Sequence, residues 1–118
     1  MEQQLQLVNF EQAKRLKKLG FDWETDNHYY DLSGTHRKII HSTKMFEFIS
    51  APTVALALKW ARDVKEIMNG VYFSNAGEWI GFIKKNEYQD RTKRYNTYEL
   101  AESELLNEIL TILETNKI

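Results

Sequence analysis

Val71-Tyr72-Phe73-Ser74-Asn75-Ala76-Gly77-Glu78-Trp79-Ile80-Gly81-Phe82-Ile83 is the stretch that decides the architecture. Two short runs rich in β-branched and aromatic residues flank Ser74–Glu78, a polar connection that contains a glycine. That pattern predicts a β-hairpin. Strands in such hairpin-sized runs predict a mainly antiparallel sheet.

Working upstream, residues 54–68 predict a largely buried helix. At 100° steps, Val54, Leu56, Ala57, Leu58, Trp60, Ala61, Val64, Ile67 and Met68 cover more than half the circumference. Lys59, Arg62, Asp63 and Glu66 fill the polar remainder, with Lys59–Asp63 and Arg62–Glu66 at the supportive four-residue spacing. Ser50 is the expected N-cap, Pro52 falls in the first turn, and Asn69-Gly70 is the expected stop. Downstream, residues 84–94 are charged and read as a loop or an extended hairpin tip, with a third strand through Arg94, Tyr95 and Asn96. Thr97, or Asn96 with Glu99, then caps a last helix. Its apolar stripe is Tyr98, Ala101, Leu105, Leu106, Ile109, Leu110, Ile112 and Leu113.

Further out, His28–Leu32, Arg37–His41 and Met45–Ile49 read as strands. The last is apolar on both faces, as a central strand would be. Near the N-terminus, Asn9 with Gln12 forms a capping-box pattern, Phe10, Ala13, Leu16 and Leu19 make a helical stripe, and Gly20 is the stop. The fold class is therefore α+β, with three helices on one face of a mainly antiparallel sheet. The order is helix, two or three strands, helix, two or three strands, helix. An offset of 47 pairs Phe48 with Tyr95, Ser50 with Thr97, Val54 with Ala101 and Leu58 with Leu105, which raises an internal duplication of a strands-then-helix unit.

A chain of 118 residues fits one domain, 1–118, and 42% hydrophobic content supports a core without a metal or disulfide staple. The absence of cysteine excludes thiolate catalysis and Cys-based zinc sites and fits a reducing compartment. The polar start Met1-Glu2-Gln3-Gln4 is not that of a signal peptide, and no apolar run reaches membrane-spanning length. A soluble, cytoplasmic domain with no membrane partner is expected. A net charge of −1 gives no global attraction to nucleic acid.

Residues 10–23 (FEQAKRLKKLGFDW), 50–64 (SAPTVALALKWARDV) and 97–106 (TYELAESELL) resemble a family of small uncharacterised proteins from Bacteroides-type gut bacteria and their phages. The resemblance spans nearly the whole chain and departs at about 24–47 and at 84–94. It implies a bacterial or phage origin, and it carries no activity, cofactor or site residue.

Four groups of residues invite a functional reading. His28, His36 and His41 lie near Asp22, Asp26 and Asp31, but His36 and His41 are five apart on an expected strand and so point to opposite faces. Ordinary surface histidines, and no metal, are expected. Lys84, Lys85, Arg91, Lys93 and Arg94 outweigh Glu87 and Asp90, with Tyr88 and Tyr95 interleaved, and Lys14, Arg15 and Lys18 are available to extend the patch. Phosphate contact and base stacking require this mixture, and a solvated loop balanced by the acidic last helix has it too. In element order, the second half also resembles small three-stranded DNA-binding domains of the integrase-arm type. Tyr72, Trp79 and Phe82, with Tyr29 and Tyr30, form either a recognition or dimer surface on an uncovered sheet face or the packing of the core and its edges. Glu102 projects onto the apolar side of the last helix, as a buried acid or as a residue at the helix margin.

No phosphate-binding glycine loop, Ser–His pair or dinucleotide fingerprint accompanies any of these, so no catalytic residue and no cofactor are expected. The chain reads as a non-enzymatic interaction module, such as a phage or prophage accessory protein that binds a host protein. The alternative is nucleic-acid binding through 84–94. Near-neutral charge also favours a homodimer through Tyr72, Trp79 or Phe82.

Overall fold

A computed structural model describes residues 6–30, 36–38 and 48–116. Asn9 opens α1 (Phe10–Lys18) through the expected capping box. Its side chain accepts the Gln12 N–H at 2.8 Å while Gln12 Oε1 accepts the Asn9 N–H at 2.9 Å. The helix closes in a Schellman turn, in which the N–H of Phe21 donates to Leu16 and that of Gly20 to Lys17. Gly20 stands at φ 96°, where a side chain would strain the backbone, although the space beside it is open.

β1 (Asn27–Tyr30), β2 (His36–Lys38) and β3 (Phe48–Ser50) form one antiparallel sheet in the order β2-β1-β3. Within the described residues β1 is therefore the centre. β3 pairs only with β1, and does not take the central position expected for 45–49. Leu32, Ile39 to His41 and Met45 to Glu47 lie outside the described residues.

α2 (Val54–Val64) is capped by Thr53, whose hydroxyl accepts the Leu56 N–H at 3.1 Å. The expected cap, Ser50, is still in β3, and the ladder continues past it as the Ala51 N–H donates to Asn27. Pro52 just ahead of the cap gives its carbonyl to Val8. The helix also ends earlier than its apolar arc suggests. Glu66 takes a left-handed conformation, φ 59°, and Ile67 donates back to Ala61. Asn69 is therefore a strand residue and a clamp, with its amide donating to the carbonyls of Leu58 and Ile67.

β4 (Met68–Phe73), β5 (Trp79–Lys85) and β6 (Tyr88–Tyr95) form a second antiparallel sheet, a meander in the order β4-β5-β6. Ser74 and Glu78 close the first turn, with Gly77 at φ 83°. Asn86, at φ 53°, makes the second. The charged segment 84–94 is thus mostly strand. α3 (Tyr98–Glu114), capped by Thr97, lies along this sheet, and α1 and α2 pack on α3.

One apolar cluster joins α1, α2, α3 and both sheets, from Val8 through Trp60, Leu105 and Leu106 to Ile112. The α+β class stands, with the strands divided between two small sheets. The two strands-then-helix units share the order of their elements but differ in pairing: the first strand is central in one and the second in the other. Their helix caps, Thr53 and Thr97, are 44 residues apart, not 47. No described helix is long and apolar enough to cross a membrane.

Candidate functional site

The second sheet has two unlike faces, and Gly81 tells them apart. A Cβ at Gly81 would stand about 3.0 Å from Leu105 of α3, so this position faces the helix at close approach. Side chains alternate along a strand. Trp79, Ile83 and Lys85 therefore share the α3 side with Gly81, and Ile80, Phe82 and Lys84 project from the other. Cross-strand pairing adds Tyr72 opposite Ile80, Met68 and Gln89 opposite Lys84, and Gly70 and Arg91 opposite Phe82. No described element packs on this second face.

Arg91 and Arg94 are three apart and would normally point to opposite faces. A β-bulge prevents this. Thr92 and Lys93 together oppose the single residue Gly81, so Arg91 pairs with Phe82 and Arg94 with Ile80, both on the open side. The bulge leaves the Gly81 N–H without a ladder carbonyl, and the Thr92 hydroxyl accepts it instead at 2.9 Å.

The open face is apolar at its centre and cationic along β6. Ile80 is nearly covered between its neighbours Tyr72 and Arg94, whereas Tyr72 itself is exposed. Phe82 lies down across β4, with its ring edge 2.7 Å from where a Cβ of Gly70 would be. Gly70 thus lets an aromatic ring cover the strand. Tyr72, Phe82, Ile83, Lys84, Gln89, Asp90 and Arg91 line a shallow concavity of about 750 Å³. Among the described residues, none of Lys84, Arg91, Lys93 or Arg94 forms an ion pair, whereas Lys14, Arg15 and Lys59 are each paired with a carboxylate. The one acid on β6, Asp90, pairs with Ile83 and reaches Tyr88 at 3.4 Å, on the α3 side. It also lines the concavity, so the cations of the open face outnumber one carboxylate at its border.

The residues singled out from the sequence divide accordingly. Tyr72, Phe82, Lys84, Arg91 and Arg94 come together on this face. Trp79 does not. It sits on the α3 side between Phe73, at 4.8 Å, and Tyr98, at 5.3 Å. Lys85 turns inward to the Lys65 carbonyl at 2.9 Å, and Lys93 stands in the bulge. Tyr88 and Tyr95 belong to the α3 side too. Burial raises the pKa of both, and the carboxylates nearby, Glu108 for both with Asp90 beside Tyr88 and Glu104 beside Tyr95, add to it. Arg15 is committed to Glu114 and Thr111, and Lys14 to Glu11, so neither extends the patch. Gln89, Ile80 and Gly70 were missed. A glycine paired across a strand from a phenylalanine was the available signal.

Elsewhere, Glu102 is buried and accepts the Tyr98 hydroxyl at 2.9 Å, and burial raises the Tyr98 pKa before that bond adds to it. Arg62 beside them donates to Asn69 at 2.9 Å. These groups satisfy one another around a small cleft of about 150 Å³, as a structural network does. Burial lowers the pKa of His28, opposed by Asp26. His41 and Asp31 lie outside the described residues, among which no three His, Asp or Glu side chains converge as metal ligands would. Neither a protein-family model, nor a curated protein, nor a solved structure matches this chain.

Proposed function

We propose that the chain is a non-enzymatic binding module for nucleic acid, working through the open face of β4, β5 and β6. The observation that carries this reading is the grouping of Lys84, Arg91 and Arg94, none of them in an ion pair among the described residues, around Tyr72 and Phe82, with Asp90 the one carboxylate that lines the concavity there. In a chain of net charge −1, such a local excess selects an anionic partner. Unpaired cations give up condensed counterions on binding phosphates, so affinity falls steeply with salt. Fluorescence anisotropy with labelled oligonucleotides, at low and then rising salt, tests this. Binding should weaken as salt rises. The triple reversal Lys84→Glu, Arg91→Glu, Arg94→Glu should cost roughly a hundredfold with the circular dichroism unchanged. No binding at low salt would remove the reading.

A second reading, a protein partner in the form of another copy of the chain, is favoured by the edge of the same sheet. Among the described residues β4 pairs only with β5, Phe73 and Tyr98 are exposed beside Trp79, and Leu100 is exposed on α3. An unpaired edge with apolar side chains is a template for pairing with a second β4. Light scattering at micromolar concentration should then give twice 14.0 kDa, returning to the monomer mass in Phe73→Glu. A mass of 14.0 kDa for the unaltered protein excludes the dimer.

A further inference from the structure

The nature of the nucleic acid follows from the shape of the face and the posture of its rings. The Phe82 ring lies against Gly70, because only a residue without a Cβ leaves room for it. The same ring lines the concavity, where a ligand can reach it. Tyr72 is its diagonal neighbour across β4 and β5, since Tyr72 pairs with Ile80 and Gly70 with Phe82. Diagonal positions lie about 7–8 Å apart. Two rings at that separation offer platforms for two successive unstacked bases. Beside them, Arg91 and Arg94 stand on β6, and Lys84 follows Phe82 two residues along β5, where a phosphate backbone would run.

A duplex makes poor use of this arrangement. Its bases are stacked inside, so the two rings would be pressed against sugars and phosphates and would lose hydration without gaining a stacking partner. Reading bases in a duplex also requires an element that projects into a groove. This face instead holds a concavity of about 750 Å³, lined by Tyr72, Phe82, Lys84 and Arg91, with Asp90 the one acid among its lining residues. A single strand has free bases to lay on the rings and a flexible backbone that can follow a hollow.

We infer that the open face of β4–β6 binds single-stranded nucleic acid, with bases stacked on Phe82 and Tyr72 and phosphates held by Lys84, Arg91 and Arg94. This rests on the nucleic-acid reading above and narrows it. The aromatic platform is sequence-tolerant, because every base has a π face. Gln89 is the neutral hydrogen-bonding side chain on the face and adds polar contact to a base edge or sugar without altering the charge.

The test compares labelled oligo(dT) and oligo(U) with a mixed-sequence DNA duplex of the same length, by anisotropy, on the full chain. The single strands should bind more tightly. The logarithm of affinity should fall with the logarithm of salt at a slope of about −2, from three phosphates at about −0.7 each. Phe82→Leu keeps an apolar cover on Gly70 and removes the π face, and it should weaken single-strand binding about tenfold without changing the salt slope. Tyr72→Leu, at an exposed position, makes the same test should Phe82→Leu unfold. Equal or tighter binding of the duplex overturns the single-strand inference and leaves the nucleic-acid reading standing. Loss of binding to neither leucine variant, with loss in Arg91→Gln, overturns the stacking contribution. Absence of binding to all three probes at low salt overturns both.

Discussion

Trp60→Ala is expected to remove a large share of the stability of the fold. Trp60 is 1% exposed, at the centre of the cluster that joins α1, α2 and α3, and meets Phe21 edge-on at 5.6 Å. Truncating a buried tryptophan removes its transfer free energy and leaves a cavity, together about 3–5 kcal/mol. A domain of this size holds about 5–15 kcal/mol in all. Trp60→Phe should cost far less, about 1–2 kcal/mol, and for a specific reason. The indole Nε1 is buried with no hydrogen-bond partner among the described residues, so its removal breaks no bond. Urea denaturation of the two variants measures the difference. Equal losses would mean that the indole nitrogen is held by a partner after all.

Gln12 is the second position where one change should be severe. It is 1% exposed and has two duties. Its Oε1 completes the capping box at Asn9, and its Nε2 faces the Ser103 carbonyl at 3.2 Å, the Ser103 hydroxyl at 3.1 Å and Asn107 Oδ1 at 3.0 Å. α1 is thereby pinned to α3. Gln12→Leu should cost about 2–4 kcal/mol, from half a cap and buried acceptors left without a donor. Gln12→Glu separates the two duties. A carboxylate still caps Asn9, but its second oxygen meets the Ser103 carbonyl, which cannot become a donor. Burial and that acceptor raise the folded-state pKa of the new acid above its unfolded value. The folded state then holds the proton more tightly, so stability is greatest at low pH and falls as pH rises past about 4.3. Denaturant midpoints at pH 4 and pH 7, each taken against the unaltered protein, should show the deficit widening at pH 7. A deficit of the same size at both would show that Nε2 is not what binds the helices together.

The legible parts of this fold are those whose causes are local. The capping box at Asn9, the glycine stop at Gly20, the cap at Thr97 and the turn at Ser74–Glu78 each rest on bonds spanning three to five residues, and each is present. The displaced boundaries are those decided at a distance. Ser50 has every local reason to cap α2, but β3 retains it through pairing with His28. Ile67 continues the apolar arc of α2, yet the chain turns at Glu66 because Asn69 is needed by Leu58 and Ile67. Strand partition was hidden for the same reason, since pairing order has no local signature.

In the candidate site, residue type was legible and direction was not. Tyr72, Phe82, Lys84, Arg91 and Arg94 were identified by chemistry alone. Trp79 and Lys85 were grouped with them because parity along β5 has no meaning until a helix occupies one side. Gly81, between Ile80 and Phe82 on a central strand, marks that side.

The extra residue in β6 also bears on how such a surface changes over generations. Substitution can alter the charge at a position but not the side of the sheet it occupies. Here the side is set by a count, two residues against Gly81. A lineage that lost one codon between Arg91 and Arg94 would straighten the ladder and, with the arginines now two apart, would still hold the pair on one side. The patch can thus survive a change in the length of the strand, and comparing relatives position by position, with gaps ignored, would misjudge which of them retain it.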